Sequence, residues 1–142
     1  MVIQEEAIVT AADRRRLRRM IDCLRATLPV NGEPYAGFLN ALEGRLSEMA
    51  TVSQEEVEAD LVTMNSRLRV RDESCREQVL TLVYDHDADP FGDKLSVVSP
   101  LGAVILGSRV GDDVKWQTRR GERRLRIEEI LFQPEAAGKF DL

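Results

Sequence analysis

An acidic loop near the middle of the chain carries the side chains best suited to bind a cation. The segment DHDADPFGD places Asp85, Asp87 and Asp89 at alternate positions, as in the first half of a calcium-binding loop. Such a loop needs glycine at its sixth position and a bidentate glutamate at its twelfth, but here those positions hold Pro90 and Ser96. The spacing therefore predicts a solvated acidic loop, with no metal site and no cofactor.

The single histidine, His86, lies among these aspartates. No serine or cysteine accompanies it in a spacing typical of a nucleophilic triad. The chain also has no phosphate-binding loop, since neither GxGxxG nor GxxxxGK[ST] occurs in it. We therefore expect no catalytic residue, and we expect that the protein is not an enzyme.

A cluster of arginines lies on one predicted β-hairpin and could grip phosphate groups. It comprises Arg119, Arg120, Arg123, Arg124 and Arg126. No aromatic side chains alternate with them for base stacking, and the whole chain has a net charge of −5. An acidic protein binds a nucleic-acid backbone poorly. We expect these arginines to pair with nearby acids, and we expect no stable direct nucleic-acid contact.

The remaining candidate is a short apolar tip, Ser99-Pro100-Leu101-Gly102. Serine is a good helix N-cap, and proline suits the first helical position because its missing N–H would have no partner there. These preferences explain Ser99 and Pro100, but they give no reason for an exposed leucine. The pattern predicts that Leu101 is exposed at this tip, although a helix start does not require an apolar residue there.

The elements that must position this tip are short and close together. Leu95, Val97 and Val98 predict a buried strand, and the apolar run 101–106 predicts a helix of one or two turns that ends at Gly107. A turn at Gly111 follows, and another strand begins at residue 114.

The rest of the second half alternates with the period of β-strands. Strands are predicted at 67–71, 79–84 and 124–132, with a hairpin turn at 119–122 and a bulge within 128–131. About five mostly antiparallel strands with one inserted short helix make an α+β fold.

The first third of the chain predicts two amphipathic helices. Their apolar faces comprise Leu17, Met20, Ile21, Leu24 and Leu28 in the first, and Phe38, Leu39, Leu42, Leu46 and Met49 in the second. Joined by a short loop, they form an antiparallel helical hairpin with arms roughly 25 Å long. A lone helical pair buries little surface, so the hairpin must either project as a short coiled coil or lean on the sheet.

The domain boundary is predicted near residue 53, where the charge of the chain changes, and the hydrophobic period changes to two from Val62 onward. Residues 1–52 are neutral and rich in arginine, whereas 53–142 carry the whole net charge. We predict two domains, the helical hairpin at 1–52 and the sheet at 53–142. Thr10 is predicted to cap the first helix, and Ser53 with Glu56 is predicted to form a capping box.

Features of secreted or membrane proteins are not found in the sequence. No apolar run approaches the roughly 20 residues of a membrane span, and the first residues lack the basic region of a secretory signal. The two cysteines, Cys23 and Cys75, are far apart in sequence and are expected to be reduced thiols. The expected location is the cytoplasm, without membrane contact.

Several segments resemble a known family. LSVVSPLGAVILGSRVGDDV, residues 95–114, resembles the C-terminal domain signature of the bacterial GreA/GreB transcription elongation factors. VTMNSRLRVRD, TLVYD and the tail QPEAAGKFDL are similar to the smaller relatives called regulators of nucleoside diphosphate kinase. The resemblance implies an FKBP-like domain, a curved antiparallel sheet with one short helix against it.

The resemblance also implies a partner. In Gre factors the matching segment helps to dock the C-terminal domain onto a coiled coil at the rim of the RNA polymerase secondary channel. RNA polymerase binding is accordingly expected at Ser99, Pro100, Leu101 and Gly102, with Val98 beside them. An FKBP-like fold also suggests prolyl isomerase activity, but the chain has too few aromatic side chains for the deep pocket of such an enzyme.

The loop between the two helices distinguishes two types of relative. Gre factors insert a long coiled coil whose acidic tip helps to bind the catalytic Mg²⁺. Here the loop LPVNGEP contains Asn31 and Glu33 at its tip, with Glu33 as its single acid. One carboxylate on short arms is a poor Mg²⁺ site, so we expect a non-catalytic regulator of transcription. Two alternatives stay open: a cleavage factor that uses Glu33, and an interaction module with another partner.

Overall fold

The computed structural model describes residues 7–28, 35–89 and 91–139 of the 142-residue chain. The regular elements follow the chain in this order: β1 (Ile8–Thr10), α1 (Ala11–Thr27), α2 (Tyr35–Glu48), β2 (Ala50–Val52), a 3-10 turn (Gln54–Glu56), β3 (Arg67–Asp72), β4 (Glu77–Val83), a second 3-10 turn (Asp85–Asp87), β5 (Lys94–Ser96), α3 (Pro100–Ile105), β6 (Asp113–Thr118) and β7 (Gly121–Phe132).

The two long helices begin and pack as the sequence predicts. The Thr10 side chain accepts a hydrogen bond from the Asp13 amide at 3.0 Å, which is the expected N-cap. Leu17 and Ile21 of α1 and Leu39 of α2 are fully buried. The apolar periodicity of the first third therefore identified the faces that point inward.

The hairpin leans on the sheet, which is one of the two predicted arrangements. One hydrophobic cluster contains Leu17 and Leu39 of the hairpin together with Leu68, Leu82 and Ile127 of the sheet. The hairpin does not stand away from the sheet as a projecting arm, because its apolar faces are wide enough to cover the sheet. The division into domains at residues 52 and 53 stays a prediction, and it crosses this continuous core.

Two short strands flank the hairpin and pair with each other. β1 and β2 are parallel, with Ile8 opposite Ala50 and Thr10 opposite Val52. The sequence analysis did not predict β2, since three residues carry too little alternation to be recognised. The pairing depends on the helices, which bring the two strands side by side.

The main sheet has five strands in the order β5-β4-β3-β7-β6. Neighbouring strands are antiparallel except β4 and β5, which are parallel. The α+β class, with a mostly antiparallel sheet and one short helix, is confirmed. The register between β3 and β7 shifts at the predicted bulge, where Arg69 pairs with Glu129 and Val70 with Ile127, which leaves Glu128 unpaired.

The alternation of β3 separates a buried face from a charged one. Leu68 and Val70 are buried, whereas Arg69 forms an ion pair with Glu129 at 2.6 Å and Arg71 with Glu77 at 2.7 Å. This pattern agrees with the predicted alternation of β3, in which one face of the strand is buried and the other faces solvent.

One local prediction is wrong. Ser53 precedes the first 3-10 turn, but its side chain makes no capping hydrogen bond, and only its carbonyl oxygen accepts the Glu56 amide, at 3.1 Å. The turn is too short to present the unpaired amides that a capping box serves. Cys23 and Cys75 are both free and exposed thiols, as expected. Among the described helices, none is long and apolar enough to cross a membrane.

Candidate functional site

The predicted tip forms the start of helix α3. Ser99 has the extended backbone of an N-cap, its side chain accepts the Gly102 amide at 3.1 Å, and Pro100 occupies the first helical position. Because the cap satisfies a free amide and proline fixes the backbone, this end of α3 has little conformational freedom.

The exposure of the tip differs from the prediction. Ser99, Pro100 and Leu101 are only partly exposed. Leu101 is predicted to be exposed, but part of it packs against the hydrophobic core. Gly102 is buried, and Val98 is 1% exposed. The solvent-accessible surface of the tip is therefore formed by Ser99, Pro100 and part of Leu101.

Gly102 is required by a close approach of two backbones. A Cβ atom there would overlap the carbonyl oxygen of Ser96 and would lie 2.9 Å from the Cα of Val97. No larger residue fits without movement of the backbone. Gly102 therefore supports the tip from within and presents no side chain to a partner.

A chain of hydrogen bonds ties the start of α3 to the acidic loop. The Ser96 hydroxyl donates to Asp85 Oδ1 at 2.9 Å and accepts the Val98 amide at 3.1 Å. The Ser99 hydroxyl donates to the Ser96 carbonyl oxygen at 2.7 Å. These bonds hold the backbone between Ser96 and Ser99, which leads into the tip, in one conformation.

The same carboxylate is held by the hairpin. Tyr35, the first residue of α2, donates its hydroxyl to Asp85 Oδ2 at 2.8 Å. Burial, together with the hydrogen bond to Asp85, raises the pKa of Tyr35, so the phenol stays protonated and acts as a donor. Asp85 is half-buried with both oxygens bonded, which corrects the prediction that it belongs to a solvated loop, whereas Asp87 and Asp89 are exposed.

The end of α3 is held by the hairpin as well. The guanidinium of Arg45 donates to the carbonyl oxygens of Val104 at 3.2 Å and Leu106 at 2.7 Å. The last carbonyls of a helix have no partner within the helix, and a cation there also suits the helix dipole. Burial lowers the pKa of Arg45, but a guanidinium remains charged.

A groove of about 320 Å³ lies beside the tip, between α2, α3 and β6. Its walls include Phe38 of α2, Pro100 and Val104 of α3, and Trp116 of β6, and Lys115 is on its rim. The guanidinium of Arg123 lies over the Trp116 ring, 5.9 Å from its centroid. The groove is an apolar recess with cations around it.

The other candidates from the sequence are not brought together into a site. His86 is exposed, with Nε2 3.3 Å from Asp87 and its ring stacked on Tyr84. In the arginine hairpin, ion pairs with acids are formed by Arg123, Arg124 and Arg126, for example Arg126 with Asp113 at 3.1 Å. Within the described ranges, no group of three or more His, Cys, Asp or Glu residues is arranged to hold a metal ion. Asn31 and Glu33 lie outside the described residues.

Three residues of this surface were missed by the sequence analysis: Tyr35, Phe38 and Arg45. Each has a residue type common on an amphipathic helix, and the hydrogen bonds of Tyr35 and Arg45 span 50 to 61 positions in sequence. The only available signal was that two aromatic side chains begin α2, and this is also typical of an ordinary core face.

Comparison with known proteins identifies the family. The family model "Transcription elongation factor, GreA/GreB, C-term" matches residues 56–132, more than half of the chain. The chain belongs to the GreA/GreB family. The matched GreA/GreB region contains β3 to β7 and the whole of α3.

Individual relatives agree with this assignment. The chain is 39% identical over 124 residues to the regulator of nucleoside diphosphate kinase of Escherichia coli K12, covering 84% of this chain and 91% of that protein. It is 36% identical over 95 residues to the elongation factor GreA of Thermoanaerobacter pseudethanolicus, of which it spans 60%. A solved GreA/GreB factor from Nitrosomonas europaea superimposes with a TM-score of 0.71 at 34% identity, covering 89% of this chain and all of that one.

Proposed function

We propose that this protein is a non-cleaving regulator of transcription that binds RNA polymerase near its secondary channel. Ser99, Pro100 and Leu101 make the contact, and the buried Gly102 supports them. The proposal is supported by the family model, which spans α3 and the strands around it. It agrees with the similarity to a regulator over 91% of its length. An effect on nucleoside diphosphate kinase would then be indirect, through transcription.

The observation that carries the proposal is a partly exposed Pro-Leu pair on a rigid helix start. A binding surface that is already ordered loses little conformational entropy when it meets its partner. Ser99 is held by its cap and by Ser96, so Pro100 and Leu101 keep one orientation. The adjoining groove offers an apolar recess next to them.

Two features favour binding without transcript cleavage. The sequence between Leu28 and Pro34 contains a single acid, Glu33, whereas a Mg²⁺ site needs carboxylates in an octahedral arrangement with water. The Tyr35 side chain at the start of α2 is bonded to Asp85, and this bond holds the first turn of α2 beside β5 and the turn before it. A hairpin in this position is poorly suited to carry a carboxylate deep into a channel.

Acidic substitutions at the tip are expected to block polymerase binding. In Pro100→Asp/Leu101→Glu the new acids occupy the first turn of α3, where the helix dipole favours negative charge. The cost to folding is therefore limited to the partial burial of Leu101. Purified polymerase should retain the wild-type protein, and the variant should bind at least tenfold more weakly.

The matched control is Leu131→Glu, which places a carboxylate at an exposed apolar position of β7. It should bind as the wild type does. Polymerase that fails to retain the wild-type protein, or that retains the tip variant equally well, would exclude docking through the tip.

Transcript cleavage is expected to be absent, and competition with GreA is expected instead. When the protein is added to a backtracked elongation complex, no short 3′ RNA should be released. When GreA is added as well, rising concentrations of this protein should slow the cleavage by GreA, because both would occupy one docking site. Release of short RNA that Glu33→Ala abolishes would instead favour the cleavage-factor alternative.

A further inference from the structure

We propose that helix α2 is a working part of the docking surface: it sets the position of α3 and supplies one wall of a groove that receives an apolar side chain of the polymerase. This inference rests on the proposed function and adds to it the hairpin residues Tyr35, Phe38 and Arg45. The hairpin then contributes to binding in its observed position against the sheet.

The start of α3 is positioned by a series of three hydrogen bonds that begins at α2 and passes through Asp85. Tyr35 donates to one oxygen of Asp85, Ser96 donates to the other, and the Ser96 hydroxyl accepts the Val98 amide, at 2.8, 2.9 and 3.1 Å. Each oxygen of the Asp85 carboxylate accepts one of these bonds, so α2 and the segment before the tip are both attached to the same side chain. A shift of the first turn of α2 would therefore move the residues that precede Ser99.

The end of α3 is positioned by the same helix. Arg45 lies ten residues after Tyr35 on α2 and donates to the carbonyl oxygens of Val104 and Leu106. A six-residue helix has little stability of its own, so its placement depends on contacts at its two ends. Here α2 provides a contact at each end.

The groove between these contacts has the character of a hot-spot pocket. Its walls are Phe38, Pro100, Val104 and Trp116, and their surface in the groove is predominantly apolar. Pockets that bury one apolar anchor side chain contribute a large share of the binding energy at protein interfaces. Phe38 comes from the hairpin, so the pocket is complete only when the hairpin is in place.

The charge around the groove indicates the chemistry of the occupant. Lys115 is exposed and is one of the residues that line the groove. The guanidinium of Arg123 lies over the Trp116 ring, and its Nε is 3.9 Å from a carboxylate oxygen of Glu73. In a protein with a net charge of −5, this local positive rim suits an acidic neighbour. The expected occupant is a polymerase segment that carries an apolar side chain next to a carboxylate.

Two variants separate the two roles of α2. Phe38→Ala should weaken polymerase binding at least fivefold while hydrogen exchange of the α3 amides stays as in the wild type. Tyr35→Phe keeps the ring but removes the donor to Asp85. It should speed amide exchange at Val98 and Gly102 and weaken binding severalfold. Ser47→Ala is the control on α2, because the exposed Ser47 hydroxyl donates to the carbonyl oxygen of Glu43 in its own helix.

A charge reversal tests the occupant. Lys115→Glu and Lys139→Glu change the net charge equally, but only Lys115 lines the groove. Lys115→Glu should weaken binding and reduce its dependence on salt, whereas Lys139→Glu should bind as the wild type. Equal effects of the two substitutions would exclude an acidic neighbour at the groove.

The outcomes for the two proposals differ. If polymerase retains the wild type but not Pro100→Asp/Leu101→Glu, and both α2 variants bind as the wild type, then docking through the tip stands and the role of α2 is overturned. If the wild type itself is not retained, the proposed function fails, and this inference fails with it.

Discussion

Replacing Gly102 with alanine is expected to destabilise the fold by about 3 kcal/mol, as overpacking a closely packed site typically does, and to abolish polymerase binding. The added Cβ would overlap the Ser96 carbonyl oxygen and approach the Ser96 carbonyl carbon to 2.8 Å. These are backbone atoms, so no side chain can rotate away to make room. The helix must move, and the Ser99 cap and the Ser96 bond to Asp85 move with it.

Urea unfolding and polymerase retention would measure this effect, and the chain offers a matched control. Gly44 lies within α2 and is exposed, and an added Cβ would meet no described atom within 4 Å outside the adjacent residues and the backbone of its own helix. Gly44→Ala should stabilise the protein by about 0.5–1 kcal/mol, because alanine favours the helix interior over glycine. If Gly102→Ala were as stable as the wild type and still bound polymerase, the tight contact between α3 and Ser96 would not be needed.

Asp13→Asn is expected to stabilise the protein at neutral pH by about 2 kcal/mol. The raised pKa of Asp13 corresponds to a cost of roughly 3 kcal/mol for keeping the ionised carboxylate buried, and asparagine should recover most of it. Asp13 is 1% exposed in the first turn of α1, and its Oδ2 accepts the Met64 amide at 3.1 Å. Burial raises the pKa of this carboxyl from 3.8 to about 6, with a further rise from the charge of Glu135; the Met64 amide and Arg16 oppose the shift. Asparagine keeps the acceptor and removes the buried charge.

The direction of the pH dependence follows from these two values. The unfolded chain loses the Asp13 proton near pH 3.8, whereas the folded protein holds it to about pH 6. The contribution of Asp13 to stability is therefore fully present below pH 3.8 and is lost as the pH rises through 6. The difference between wild type and Asp13→Asn should be small at pH 4 and largest above pH 7.

Thermal unfolding of both proteins between pH 4 and 8 would test this expectation. Asp13→Ala is the second variant: it removes the charge but leaves the buried Met64 amide without its acceptor, so it should be less stable than Asp13→Asn by about 1–3 kcal/mol. A wild type more stable than Asp13→Asn at pH 7.5 would mean that the ionised carboxylate stabilises the fold.

The sequence was sufficient for the elements with a clear repeat. Leu17 and Ile21 repeat with the helical period, and Leu68 and Val70 with the strand period, and all four are buried. The bulge at Glu128 was visible because it interrupts that alternation. β2 was missed because three residues contain no full repeat, and because its partner β1 lies 42 positions earlier in the chain.

For the candidate site, the sequence determined the local chemistry of the tip. Ser99 as N-cap and Pro100 at the first helical position depend only on local backbone geometry. The resemblance to the GreA/GreB segment rests on residues 95–114, which include this tip. Their polymerase contacts remain a prediction. The exposure of Leu101 could not be predicted, since it depends on the neighbours that pack beside it.

The tertiary structure alone decided what holds that tip in place. Asp85 belongs to an acidic run that looks solvated in sequence, but Tyr35 and Ser96 reach it from positions 50 residues before and 11 residues after it. Gly102 has no special backbone angle, and only the approach of Ser96 shows why a side chain is excluded. Local backbone conformation depends on the neighbouring residues in the sequence. Contacts between distant segments form only when the hydrophobic core packs and brings those segments together.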